Sequence, residues 1–490
     1  MTTPKAGRLS GIQTALRYTG LPTSWLSKRP KLPSRNWLIF LSVTTSATGY
    51  YIYDRQQCKK IRQHYIDLVK SQAEEPVRPL DAPRRVTVYG SKWPGDEDYN
   101  QSIKYFRKYV KVERNRPLSR PLRRSCHSSF QPILVAAAVD YELVPGKRHG
   151  DIAERVANEI RLRRRRELGL DPIPDSQTAL PTYKPPEQLR QDELEGGIVL
   201  VGRPTFKEFM AGLKKGWSEG VENVDYDEVL ARELESDAHF DEVDEPRDGA
   251  ETWSDGFDRS NLPSPNNSPV FSPLQMSTMP RSAPSSSSSA SSGSSYEPPA
   301  VIPPIPPLLL VTFTNRIGLT QIPLMIWDWF NQRHKVRSGA EAGYCLVMKS
   351  TRPIIPPTLK PESLFGDISH DQPLDQGDLA FDKDVESLYK SSLSKIPSEI
   401  EESRKKYYGE LPAKLETARS LARGTREPTK EEMKNPPPTE VELRAARMKK
   451  EKRWRRDVAG WEIVKPEQDV AWDERFRHVL RRFTDPSSAN

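Results

Sequence analysis

Seventeen consecutive uncharged residues, Trp37 to Tyr53 (WLIFLSVTTSATGYYIY), constrain this chain more than any other feature, because charged residues crowd both of their ends. As a helix rising about 1.5 Å per residue the run is about 25 Å long, near the lower limit for crossing a bilayer core. Trp37, Leu38, Ile39, Phe40, Leu41 and Val43 supply its first half, and Tyr50, Tyr51, Ile52 and Tyr53 close it. Amphipathic rings thus stand at both ends, where membrane interfaces hold them, and the Ser and Thr hydroxyls between can bond back to helix carbonyls. A secretory signal and a buried core helix are the two other readings of such a run. The leader of 36 residues, and tyrosines where small residues would mark cleavage, argue against the first. The basic clusters bracketing the run argue against the second. One transmembrane helix over 37–53 is the expectation.

No acidic residue precedes Asp54, whereas Lys5, Arg8, Arg17, Lys28, Arg29, Lys31 and Arg35 do. An acid-free leader bearing Arg, Ser and Thr has the physics of a mitochondrial targeting segment drawn inward by a negative potential. Beyond the run, Arg55, Lys59, Lys60 and Arg62 are diluted by Asp54 and Asp67. The excess of positive charge therefore places residues 1–36 in the matrix and everything from Asp54 onward in the intermembrane space, a single-pass protein of the inner membrane.

Only 35% of the 490 residues are hydrophobic and 45 are proline, so the chain cannot offset ordering entropy along its whole length. One modest core with long disordered segments is expected. The net charge of +8 arises from 75 basic and 67 acidic residues, a mixture that gives no reason to expect nucleic acid. Cys58, Cys126 and Cys345 are odd in number and widely spaced, and the seven histidines show no metal-binding spacing. With no Walker loop, G-x-S-x-G or intact GxGxxG either, no catalytic residue, cofactor or metal is expected.

Past the run, Lys59 to Ala73 continues as a helix and Pro76 to Pro83 breaks it. Strand-like and helical patterns then alternate: Arg85–Tyr89 (strand), Asp96–Lys111 (helix, with Tyr99, Ile103, Phe106 and Val110 on one face), Pro132–Val144 (containing a buried strand) and Asp151–Glu167 (helix). Gly197–Gly202 (strand) and Thr205–Trp217 (helix) follow, and Leu308–Phe313 with Ile322–Arg333 would complete the sheet. Such alternation predicts an α/β fold with a largely parallel sheet. The intermembrane-space domain is thus assigned to 54–219 plus 308–350. It is interrupted at 220–307 by an acidic, then Ser/Pro-rich insertion whose composition builds no core. The acidic part reads as solvating, with attraction of basic partners such as presequences as the lesser reading. Residues 351–490 form a Pro-rich, charged extension with helices at Asp384–Leu393, Pro397–Tyr408 and Thr439–Arg456, whose weak apolar faces suit packing on the domain or on another subunit.

Val112–Gln131 looks foreign. It has loop composition and no apolar period, between Lys111 and Pro132, which a tight turn would otherwise join. A valine codon begins GT and a glutamine codon can end AG, so these residues read as the translation of a retained short intron.

Three clusters are candidates for partner or lipid contact. Arg163, Arg164, Arg165 and Arg166 sit near a helix C-terminus, where cations suit the dipole without a partner; contact with anionic head groups such as cardiolipin is the functional alternative. In Lys449–Arg456, Trp454 among Lys and Arg could meet a membrane surface or a partner helix, although a solvated helix is the simpler reading. Ile322–Phe330 (IPLMIWDWF), with Trp327 and Trp329, carries more bulk than one side of a sheet covers; deep burial is expected, with a subunit interface as the other reading.

Four separated blocks carry a family resemblance: residues 33–69, 132–144 (PILVAAAVDYELV), 319–347 and 472–483 (WDERFRHVLRRF). In order and across nearly the full chain they resemble the fungal family of the fifty-four-kilodalton subunit of the mitochondrial carrier translocase. That resemblance implies a non-catalytic inner-membrane subunit with a large intermembrane-space domain, serving insertion of multispanning carrier precursors. It further implies docking of the small-Tim chaperone complex, contact with the channel and other subunits, and association with an inner-membrane AAA protease. A second, weaker resemblance links residues 198–216 (IVLVGRPTFKEFMAGLKKG) to the diacylglycerol-kinase-type nucleotide-binding core. Thr205, Glu208 and Gly212 fall in its register, but Arg203 and Pro204 replace the Asp and Gly of its phosphate loop. A lipid-kinase-like enzyme, degenerate or active, and a membrane tether unrelated to import are therefore the alternatives.

Overall fold

The charge-free run is the first part of a much longer helix. In the computed structural model, which describes residues 34–73, 84–110, 133–137, 139–171, 185–221, 225–237, 239–240, 297–356 and 377–486, helix α1 runs unbroken over Arg35–Ala73. Trp37, Leu38, Ile39, Phe40, Leu41 and Val43 are 42–62% exposed on it. Its hydroxyls do bond back: Ser42 Oγ donates to Ile39 O at 2.8 Å, Thr44 Oγ1 to Phe40 O at 2.9 Å and Thr48 Oγ1 to Thr44 O at 2.7 Å. Among the described residues no helix is long and apolar enough to cross a membrane. The reason lies in composition, since Ser42, Thr44, Thr45, Ser46, Thr48 and Gly49 dilute the run. Hydropathy alone therefore does not establish the expected transmembrane helix.

In chain order α1 is followed by β1 (Arg85–Gly90), α2 (Gln101–Tyr109), α3 (Ile133–Ala136), β2 (Asp140–Pro145), α4 (Asp151–Glu167), α5 (Pro186–Gly196), β3 (Ile198–Val201) and α6 (Arg203–Ser218). Then come α7 (Tyr226–Glu235), β4 (Leu308–Val311), α8 (Ile322–Phe330), α9 (Arg333–Met348), β5 (Thr351–Pro353), α10 (Glu386–Leu393), α11 (Ile396–Ala422), α12 (Lys430–Lys434), α13 (Glu440–Val464) and β6 (Arg481–Phe483). They fall into two compact units, one of residues 1–79, 107–138 and 316–347, the other of 80–106, 139–315 and 348–490.

The first unit is helical where described. The second half of α1 buries Cys58, Ile66 and Val69, α3 buries Ile133 and Leu134, and α9 buries Val336, Ala340, Leu346 and Val347. Close approach needs glycine on α9 at Gly339, where a Cβ would lie 2.6 Å from Tyr109 O. Pro132–Val144 contains a strand as expected, but of that strand's residues only Val144 is buried. The wholly apolar start of Pro132–Val144 is helix α3, and the strand is the alternating segment that begins at Asp140.

The second unit is built on a six-stranded sheet, ordered β2-β1-β3-β4-β6-β5, in which every pairing is parallel except β5 with β6. Strands covered on both faces need no alternation, which is why β3 and β4 are unbroken apolar runs. Tyr89, Leu200, Phe206, Phe209, Met210, Leu213, Trp217, Leu308 and Phe476 are among the residues of its core. The sheet is not completed as expected. Beyond β4 its edge comes from β6 and β5 in the C-terminal extension, and α8 belongs to the other unit. Strands of three residues carry too few side chains to show a period, so only their pairing reveals them.

A second apolar cluster joins α11 and α13 through Ile400, Tyr407, Leu411, Leu415, Ala418, Leu443 and Trp454, together with Phe240. The acidic insertion is not featureless. Asp225 caps α7, and α7 meets the basic face of α13, with Lys452 Nζ 2.7 Å from Asp227 Oδ2 and Arg455 Nη1 2.6 Å from Glu233 Oε2. Opposite charge within one chain supplies the partner. Residues 241–296, the leader 1–33, the expected break at Pro76–Pro83 and Val112–Gln131 lie outside the described residues.

Candidate functional site

Doubly wound sheets bind ligands where the strand order reverses, at the carboxyl ends of the strands. In this sheet that point lies between β1 and β3, at Ser91 and Gly202. Among the described residues there, the polar groups of Ser91, Ser102 and Thr205 are bonded within the chain. Thr205, in the first turn of α6, accepts from Ser91 N at 2.9 Å and donates to Val201 O at 2.6 Å. Ser102 Oγ donates to Ser91 O at 2.9 Å. A Cβ on Gly202, whose φ is +84°, would stand 3.2 Å from Phe313 Cβ, so a phenyl ring covers the turn that a phosphate loop keeps open.

Arg203 and Pro204 begin α6, and their roles now separate. Proline occupies the first helical turn, where its missing N–H costs nothing. Arg203 turns its guanidinium inward, with Nε 2.7 Å from Glu386 Oε1 and Nη1 donating to Leu379 O at 2.5 Å and Phe381 O at 3.0 Å. Lys207, one turn on, places Nζ 2.7 Å from the same Glu386 oxygen and donates to Lys465 O at 3.0 Å. All three charged side chains are buried, at 2%, 1% and 7% exposure for Arg203, Lys207 and Glu386. Burial pulls the Lys207 ammonium below its ordinary value, and the Glu386 carboxylate acts against that shift. A helix N-terminus with two cations attracts an anion; Glu386, from the C-terminal extension, is that anion. Trp93 stacks edge-on against Phe313 at 5.2 Å and Tyr389 at 5.3 Å beside it.

The other two residues in kinase register are structural as well. Glu208 reaches the start of α4, where Ile152 N donates to Oε2 at 3.3 Å. Burial pushes this carboxyl up to about 8, against the pull of the Gly150 and Ile152 backbone N–H groups. Gly212 lets α6 touch α4, for a Cβ there would lie 2.6 Å from Ala153 O. A cleft of about 330 Å³ does open nearby, lined by Val144, Lys147, Arg148, Asp151, Arg155 and Arg456 among others. Three of its cations have acidic neighbours: Arg456 reaches Asp151 at 3.4 Å and also pairs with Glu154, Arg148 stands 3.8 Å from Asp457, and Arg155 stands 3.9 Å from Glu159. Among the described residues no group of three or more His, Cys, Asp or Glu side chains is placed to hold a metal ion.

The sequence-predicted contact residues meet different fates. Arg163 pairs with Glu193 at 2.5 Å, Arg164 is buried and donates to Gly216 O and Glu219 O at 2.8 and 2.6 Å, and Arg165 grips Asp171 at 2.6 and 3.0 Å. Arg166 is exposed. Three of the four arginines thus have partners inside the chain. Trp454 is buried, edge-on to Tyr407 at 5.8 Å, so the helix it meets is α11 of its own chain. Trp327 and Trp329 depart furthest from expectation. Deep burial was expected of Ile322–Phe330, yet α8 has no buried residue, and these rings are 63% and 52% exposed.

Sequence reasoning missed Glu386, Asp54 and Asn331. Asp54 is buried and caps α9 from another helix, accepting from Gln332 N at 3.1 Å and Arg333 N at 3.3 Å. Tyr50 donates to Asn331 Oδ1, and Arg55 to Gln332. None of these pairings has a local sequence signal, since the partners lie more than 180 positions apart.

Comparison with known proteins bears on all of this. Residues 13–112 and 123–483 match the family model described as inner membrane protein import complex subunit Tim54. A mitochondrial import inner membrane translocase subunit TIM54 of Cryptococcus neoformans is 34% identical over 99% of this chain and 97% of its own length. One from Aspergillus oryzae is 32% identical over 66% of this chain and 67% of its own length. The Saccharomyces cerevisiae protein of that name is 37% identical over 30% and 25% respectively.

Proposed function

Because the chain belongs to the Tim54 family of inner membrane protein import complex subunits, we propose that it is a non-catalytic, membrane-anchored subunit of the mitochondrial inner-membrane translocase that inserts multispanning carrier proteins. In this reading it forms a docking platform for the small-Tim chaperone complex and a scaffold for the channel and other subunits, with the AAA protease as a further partner. The observation that carries the non-catalytic reading is the closed crevice. Arg203, Lys207 and Glu386 satisfy one another where a nucleotide's phosphates would bind, and Phe313 covers Gly202. A lipid-kinase mechanism would have to expel all of them.

Several observations support a single-pass anchor over Trp37–Tyr53. The side chains of its first half point outward, the hydroxyls of Ser42, Thr44 and Thr48 are satisfied within the helix, and α1 continues without a break into a packed half that starts at buried Asp54. A helix whose own backbone satisfies its Ser and Thr carries them into hydrocarbon at reduced cost. The acid-free leader supports a matrix-facing N-terminus, with the bulk in the intermembrane space.

Purification of a tagged chain from detergent-solubilised mitochondria tests the assignment. Channel subunit and small-Tim proteins are expected to co-purify, and depletion of the chain is expected to arrest carrier insertion while matrix import continues. Absence of these proteins would leave a tether unrelated to import. Binding of ATP with magnesium by the purified chain would restore the kinase reading. For topology, a C-terminal tag should resist protease in intact mitochondria and be digested in mitoplasts; protection in both would reverse the orientation.

A further inference from the structure

Helix α8 is apolar on every side and exposed on every side. Ile322, Leu324, Met325, Ile326, Trp327 and Trp329 are each 43–63% exposed, and Leu319, just before it, is 85% exposed. Its one charge is neutralised, with Asp328 Oδ2 3.1 Å from Arg316 Nε and 3.0 Å from Lys335 Nζ. A helix that docks on a protein needs one apolar face; a helix apolar all round belongs in a core or in lipid. Nine residues are about 14 Å long, far too short to span a bilayer and of a length found in interfacial and re-entrant segments.

What covers α8 follows from where its C-terminal end is pinned. Trp329 stacks on Tyr51 of α1 with centroids 4.8 Å apart and planes 20° apart, and Phe330 meets the same ring edge-on. Arg55 donates to Trp329 O at 3.3 Å, Tyr50 bonds Asn331, and Asp54 caps α9 directly afterwards. Every one of these ties falls between Tyr50 and Arg55, where the charge-free run gives way to charge. The apolar surface of α8 is therefore continuous with that of the anchor, at the level of its aromatic end.

We propose that α8 is a second membrane contact: it lies in the headgroup and acyl boundary of the leaflet on the Asp54 side, with Trp327 and Trp329 as interfacial anchors. Trp and Tyr favour that depth, and Arg55, Arg333, Lys335 and Arg337 close to its C-terminal end suit anionic head groups. Such a contact fixes the tilt and rotation of α1, which one helix alone leaves free. This inference rests on the anchor reading of Trp37–Tyr53.

Photo-crosslinking of the full chain in mitochondrial membranes tests it, with p-benzoylphenylalanine placed singly at Trp327, at Val43 in the anchor, or at exposed Met433 in the other unit. The expected result is a phospholipid adduct, identified by mass spectrometry, at positions 43 and 327 and none at 433. A lipid adduct at 43, with protein adducts alone or no adduct at 327, overturns the inference, leaves the anchor standing and, in the first case, makes α8 a subunit contact. No lipid adduct at either position, with the chain released by alkaline carbonate, overturns the anchor and this inference together.

Discussion

Glu386 Oε1 lies 2.7 Å from Arg203 Nε and 2.7 Å from Lys207 Nζ, one buried carboxylate between two buried cations. Replacing Glu386 by Gln leaves both cations without a counter-charge, and removal of one member of a buried ionic group costs about 3–5 kcal/mol. Urea unfolding of the full chain in detergent should show that loss. A triple Met variant of Arg203, Lys207 and Glu386 is expected to regain most of it, because apolar side chains of similar volume need no pairing. A wild-type midpoint for E386Q would mean that the triad does not hold the crevice shut.

Two glycines should respond oppositely to alanine. At Gly212 the new methyl meets Ala153 O at 2.6 Å on α4, backbone that cannot move aside, and Gly212→Ala should cost about 1–3 kcal/mol. At Gly409, inside α11, nothing lies within 4 Å, and Gly409→Ala should add about 0.5–1 kcal/mol through backbone entropy. Thermal midpoints of the two variants should move apart around the wild type.

Glu208 makes stability fall as pH rises. Unfolded, its carboxyl loses its proton near the ordinary value of about 4.3; folded, burial holds the proton up to about 8. Between those values the folded state binds more protons, so the carboxyl removes stability on the way up, by at most about 1.4 kcal/mol per pH unit. His149 is pushed down to about 4 by burial and by Lys92, so its contribution to the slope runs the other way and fades about one pH unit above the ordinary value of about 6.5. Unfolding midpoints measured from pH 6.5 to 8 should decline in the wild type and stay flatter in Glu208→Gln, which keeps an acceptor for Ile152 N. Parallel declines would refute the assignment.

Asp54 ties α1 to the start of α9. Asp54→Ala removes an acceptor from Gln332 N and Arg333 N and should cost about 1–2 kcal/mol, on the scale of a lost helix cap. Limited trypsin digestion should expose Arg333 and Arg337 in this variant. Asp54→Asn, which keeps an amide oxygen in place, should be cut more slowly than Asp54→Ala; equal rates would leave the cap without a role.

The family match omits residues 113–122, inside Val112–Gln131. If a retained intron encodes Val112–Gln131, deep sequencing of mature transcripts should reveal a shorter message joining Lys111 to Pro132. A single long message in every condition would rule this out.

Local pattern located most elements of the second unit. Asp151–Glu167 is a helix with the expected bounds, and the strands at Arg85 and Ile198 and the helix at Arg203 lie within two residues of expectation. These segments carry their periods in contiguous residues. Of the candidate site, the sequence showed that Arg203 and Pro204 spoil a phosphate loop but not what replaces the phosphate, because Glu386 stands 183 positions away.

From sequence alone came the unbroken charge-free run, the alternation of strand and helix, and the family blocks, each written in neighbouring residues. Only the tertiary structure decided that β6 and β5 close the sheet, that the acidic α7 finds its cations on α13, and that α8 stays uncovered. The physical reason is common to all three. Apolarity and charge demand partners, and a sequence states the demand; which distant surface meets it, or whether a bilayer does, depends on where the folded chain brings those surfaces together.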